Sequence, residues 1–122
     1  MAVAALQMKG RIWDIVEKQL KEKSKVSRRQ AVVSLGVLGL RNKHVFFTLL
    51  EMLELDGSPE VRIQVIRAFC TLGMNNTHVL KILMLKEQTD GAVARECGKA
   101  LKILQKLPGT KRGLEHQVYQ LS

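Results

Sequence analysis

Apolar residues fall along this chain at helical spacing, in segments separated by short polar turns. Between Ser58 and Gly73, the residues Val61, Val65, Ala68, Phe69 and Leu72 make one stripe, and Ile63, Ile66 and Cys70 make a second. A helix with two apolar stripes needs neighbours on two sides. Ser58 before Pro59 supplies an N-cap followed by a proline at the first helical position, and Gly73 supplies a stop. The same logic predicts helices near 10–22, 26–39, 43–55, 59–73, 77–88, 91–106 and 111–121. Asn76 or Thr77 caps the fifth of these, and Asp90-Gly91 breaks the chain after it. Residues 2–8, AVAALQM, read as the last turns of a further helix. No segment reads as a strand, so the predicted fold class is all-α.

The pattern also repeats. Sliding residues 24–57 onto 58–91 without a gap gives eleven identities: Ser24/Ser58, Arg28/Arg62, Gln30/Gln64, Leu38/Leu72, Gly39/Gly73, Asn42/Asn76, His44/His78, Val45/Val79, Leu49/Leu83, Asp56/Asp90 and Gly57/Gly91. Unrelated sequence would give about two. A looser third copy sets Val93, Cys97, Ala100, Leu101 and Leu104 against Val61, Val65, Ala68, Phe69 and Leu72. One helical pair would leave a stripe in water, and stacked copies bury both. The expectation is an α-α superhelix, or solenoid, of about three helical-hairpin repeats with a period of about 34 residues. Residues 1–122 then form a single repeat domain or a segment of a longer array.

At 50–73, LEMLELDGSPEVRIQVIRAFCTLG, an apolar helix, an Asp in the turn, a Val-Arg pair and a spaced Ala and Leu resemble the HEAT-repeat family, whose fold the armadillo units share. SKVSRRQAVVSLGVLG at 24–39 and TDGAVARECGKALKIL at 89–104 are further examples. Ser27 stands where Val61 stands, and Ala94 where Arg62 stands. The Trp, Gly-Tyr and closing Pro pattern of tetratricopeptide units, which share this period, is missing. The resemblance implies paired helices stacked into a curved solenoid, with the Val-Arg helices on its inner surface. It also implies a structural ladder, in which Arg28 and Arg62 bond turn groups such as Asp56 and Asp90 of neighbouring units. Asp56 and Asp90 can equally cap helices.

Composition narrows the class without naming a partner. Only two prolines and five aromatic residues argue against a β-sandwich or barrel. No apolar run approaches the eighteen or so residues that cross a bilayer, and Met1–Gly10 lacks the features of a secretory signal. The expectation is a soluble cytoplasmic chain, with nuclear or cytoskeleton-associated placement as variants. Cys70 and Cys97 fall on apolar helix faces and read as buried reduced thiols rather than a disulfide or metal pair. Net charge is +9, concentrated as +7 over residues 1–43 and +4 over 92–122, against −2 between them. Such a balance favours acidic partners: nucleic acid, acidic protein tails or anionic lipid surfaces.

Candidate chemistry is sparse. His44 and His78 sit at equivalent positions about 10 Å apart by helix-packing distance, too far for one metal ion, and His116 has no matching neighbour. The phosphate loop, nucleophile elbow and His-Glu-x-x-His patterns are absent, so neither catalytic residues nor a cofactor is expected. Glu51 and Glu54 read as a solvated face. The basic side chains carry the functional reading. Lys99, Lys102 and Lys106 share one helix face, Arg95 lies on the same helix, and Arg67 matches Lys99 in the preceding unit. KQLKEKSKVSRR, 18–29, reads either as an anion-binding patch or as an exposed loop. Trp13 and Tyr119 lie far from the lysines, so no stacking surface for bases is evident.

The reading is a non-enzymatic protein–protein interaction scaffold that offers Arg67, Arg95, Lys99, Lys102 and Lys106 to an acidic protein, the glutamate-rich tails of tubulin among the possibilities. The alternative is sequence-nonspecific binding of a nucleic-acid phosphate backbone. More distant is lyase chemistry of the kind that some HEAT-like proteins perform on bilins. No small-molecule substrate or membrane insertion is expected.

Overall fold

A computed structural model describes the backbone of residues 2–108 and the side chains of 10–108. The described residues form six helices and no strand: α1 (Ala2–Leu20), α2 (Lys25–Leu38), α3 (Lys43–Leu55), α4 (Pro59–Thr71), α5 (Thr77–Glu87) and α6 (Ala92–Lys106). The helix expected over 111–121, with His116 and Tyr119, lies outside the described residues.

Repeated residues become repeated local structure. Ser24 and Ser58 cap α2 and α4, accepting the N–H of Ser27 and Val61, and Asn42 and Asn76 cap α3 and α5 by accepting from Val45 and Val79. The ends match too. Gly39 and Gly73 take left-handed φ values of +66° and +65°, which lets Leu40 N–H reach Leu35 O (3.1 Å) and Met74 N–H reach Phe69 O (2.9 Å). The start of the chain differs from expectation, because α1 runs unbroken through residues 2–20 instead of ending one helix near 8 and opening another at 10. Gly10 costs about 1 kcal/mol in a helix, and no capping side chain accompanies it to stop the chain.

Packing joins α1 to α2, α3 to α4 and α5 to α6, and it stacks α2, α4 and α6 in one row. The helices bearing the Val-Arg positions therefore form a continuous layer, with the odd-numbered helices against its other side. Both predicted stripes of α4 face this packing: Val61, Val65, Ile66 and Phe69 are wholly buried, and Ile63 and Cys70 half-buried. Phe46, Leu49 and Leu53 of α3 and Leu104 of α6 complete the same core. Asn75, fully buried, donates to Leu104 O at 3.3 Å and so ties the turn after α4 to the end of α6.

Candidate partner-binding surface

The arginines of the repeat divide into internal and external groups. Arg28 donates from Nε to Asp56 Oδ2 (2.8 Å) and from Nη2 to Asp56 Oδ1 (3.1 Å), while its Nη1 serves the carbonyls of Glu22 (3.0 Å) and Lys23 (2.7 Å). One side chain of α2 thus connects the α1–α2 turn with the α3–α4 turn. Asp56 is positioned for this by the N–H of Ser58, which it accepts at 2.9 Å. Burial alone would raise the Asp56 carboxyl; the Arg28 and Ser58 hydrogen bonds, with the charges of Arg28 and Arg62, hold it below the ordinary carboxylate range.

Arg62 and Asp90 occupy the matching positions but form no such pair. Both line an open 450 Å³ cavity with Lys86, and Arg62 Nε is buried without a hydrogen-bond partner. The turn explains the difference. Between the Asp and the helix valine the chain reads Gly57-Ser58-Pro59-Glu60 in one unit and Gly91-Ala92 in the next, two residues fewer. Gly91 takes φ +102° and caps α6 without a side-chain hydrogen bond, and the N–H of Ala92, two residues after Asp90, makes no bond to it like the one Ser58 N–H makes to Asp56.

The five residues offered to a partner also separate. Arg67 donates to Glu96 Oε1 at 2.8 Å, tying α4 to α6; its side chain is 55% exposed, and that of Glu96 14%. Its charge is matched internally. Arg95, Lys99, Lys102 and Lys106 are exposed along α6 and make no ion pair with any described residue. Lys99 lines two cavities: one of 290 Å³ between α4 and α6, shared with Arg67 and Ile103, and one of 510 Å³ beside the α5–α6 turn, shared with Arg95 and Lys102. Lys106 lines neither.

An apolar lane accompanies these cations, and the sequence reading missed it. Val33 and Val37 on α2 line a 110 Å³ furrow with Arg67 and Thr71 of α4. The same Arg67 and Thr71 border the α4–α6 cavity that Ile103 closes. Val37 is 79% exposed and Ile103 51%. The available signal was that Val37, Thr71 and Ile103 occupy one repeat position outside both core stripes.

Other candidates carry less. In the 18–29 patch, Lys18, Lys21 and Lys23 are exposed, Lys25 pairs with Glu60 at 3.4 Å, and Arg28 is internal. Glu54 pairs with Lys86 at 3.4 Å, and Glu51 is exposed. His44 and His78 are exposed in the first turns of α3 and α5. Cys70 and Cys97 are free thiols, and burial pushes each up to about 11, with the Glu96 charge acting in the same direction on both. They stay protonated at neutral pH and make poor nucleophiles. No helix among the described residues is long and apolar enough to cross a membrane.

Protein HEATR9 of Homo sapiens is 38% identical to this chain over 60 residues, 49% of the chain. Protein HEATR9 of Macaca fascicularis matches to the same extent. This similarity meets a fold in which the Val-Arg helices stack in one row and Arg28 bridges to the Asp56 turn of the next unit. The fold and this similarity fit HEAT-type repeats. The match covers 10% of each relative, so the chain spans a small part of the length of the curated proteins it resembles. No family model matches the sequence, and no solved structure matches it either. Stacked in this way, the described helices are a helical scaffold: stacking consumes their apolar stripes and leaves one continuous surface built from successive units.

Proposed function

We propose that this chain is a non-enzymatic protein-interaction scaffold whose stacked helices present a basic surface to an acidic protein partner. One observation carries the reading: Arg95, Lys99, Lys102 and Lys106 stand exposed on one helix without ion partners among the described residues, whereas Arg28 and Arg67 are engaged internally. Arg67 borders the surface as part of its frame. The whole of 1–122 is read as one repeat domain. Exposed unpaired cations retain their hydration until an acidic group arrives, and their field accelerates the encounter.

The test is capture by an immobilised glutamate-rich peptide of the kind found in tubulin tails. The double variant Lys99→Glu, Lys102→Glu is expected to lose most of the capture with unchanged helical circular dichroism; undiminished capture would falsify the assignment of this surface. Duplex DNA serves as the competing ligand. If DNA binds with an affinity that drops steeply between about 50 and 200 mM salt while the peptide does not bind, phosphate-backbone recognition replaces the acidic-protein reading.

A further inference from the structure

Each Val-Arg helix greets the next through a particular line of residues. On α2 that line is Arg29, Val32 and Gly36, the last two bordering α4: a Cβ on Gly36 would lie 3.3 Å from Thr71 Cγ2. On α4 it is Ile63, Ile66 and Cys70, the last two bordering α6. The matching positions on α6 are Arg95, Gly98 and Lys102. They stand at i, i+3 and i+7, on one face, and span about 10 Å along the axis. Where α4 presents an apolar seam and α2 one cation, Arg29, before Val32 and Gly36, α6 presents two cations around a glycine.

The centre of this line is negative. A Cβ on Gly98 would lie 2.8 Å from Glu87 Oε2, so the carboxylate at the end of α5 rests directly against the glycine. Glu87, Arg95, Gly98 and Lys102 line the same 510 Å³ cavity, yet Glu87 makes no ion pair with either cation. Along the line of Arg95, Gly98 and Lys102 the face therefore reads plus, minus, plus, the minus supplied by Glu87 of α5, with Lys99 a further cation at the side of the same cavity.

We infer that this face docks a partner helix of complementary alternating charge, with carboxylates two turns apart meeting Arg95 and Lys102 and a lysine between them meeting Glu87. The inference rests on the acidic-partner reading and sharpens it from net charge to spacing. A uniformly anionic chain, whether nucleic acid or polyglutamate, also sets negative groups against Glu87 and Asp90, which line the cavity, and like-charge contacts of this kind weaken its binding relative to a chain that avoids them. A helix patterned Glu-x-x-Lys-x-x-x-Glu avoids that repulsion and satisfies all three charges at the spacing the face offers.

Three labelled helical peptides test this on the full chain by fluorescence anisotropy: one with the Glu-x-x-Lys-x-x-x-Glu pattern, one with that lysine changed to glutamate, and one of the first composition with the charges reordered. The patterned peptide is expected to bind about tenfold more tightly than the other two. Glu87→Gln should abolish its advantage over the all-glutamate peptide, and Arg95→Glu with Lys102→Glu should abolish its binding while leaving the circular dichroism unchanged. Equal binding of all three peptides overturns the inference and leaves a merely acid-seeking surface. Failure of every peptide to bind overturns both.

Discussion

At the residue scale, position within the repeat decides whether a charge is structural or available. Arg28 and Arg62 share a repeat position, but only Arg28 reaches its aspartate: Ser58 N–H steadies Asp56, and the shortened Gly91 turn makes no matching bond to Asp90. The sequence showed both residue types and their spacing. It did not show that two missing turn residues would separate the second pair. Asp56→Asn removes the charge from a mostly buried ion pair and should cost about 2–3 kcal/mol at neutral pH, measured by urea unfolding. Its pH dependence has a defined sign. The folded carboxyl titrates below its unfolded value of about 3.9, so in that interval the unfolded chain binds more protons and stability rises with pH. The contribution is fully present above the unfolded value and is lost as acid titrates the pair through the lower, folded value. Wild type should therefore lose more stability than Asp56→Asn between about pH 5 and the depressed folded value. Parallel losses in the two proteins would deny Asp56 this role.

At the scale of the element, helices were legible wherever their ends carried chemistry. Ser24, Asn42, Ser58 and Asn76 each cap a helix, and Gly39 and Gly73 each close one in the left-handed region. These are local events, satisfied by residues within about one turn of each other, so sequence spacing contains them. The start of α1 lacks such signals, and the sequence pattern divides into two helices what is one, Ala2–Leu20. Asn75 was invisible for the opposite reason: it acts on Leu104, far along the chain, and the repeat places Arg41 at its matching position. Gly39→Ala and Gly73→Ala each force a Cβ into the left-handed conformation and should each lower stability by about 1 kcal/mol. A Cβ at Gly39 meets no atom within 4 Å, and one at Gly73 only Leu107 Cδ1 at 4.0 Å, so crowding adds nothing at either site. Similar losses for the two variants in denaturant melts are expected; a large loss at one alone would mean that the two ends differ.

At the scale of the whole molecule, stability resides in the contacts between units. Phe69 is fully buried in α4, the helix that packs against both α2 and α6. Phe69→Ala should cost about 3–5 kcal/mol, and because each helical pair depends on its neighbours the loss should be felt throughout the stack. Trp13, on α1, provides an independent reporter of the opposite end. Its fluorescence and the helical circular dichroism should shift to lower urea together in the variant; a Trp13 transition left at the wild-type midpoint would show that the units melt separately. What the sequence determined by itself was the local and periodic part: helical class, caps, stops, the two-stripe design and hence the need to stack, all set by residues near one another or one repeat apart. The tertiary structure decided which charges remained for function. It placed Arg67 against Glu96, left the α6 cations without ion pairs among the described residues and laid Glu87 over Gly98. Pairing of that kind depends on how two helices lie side by side, to within a few tenths of an ångström, and spacing along the chain does not encode that distance.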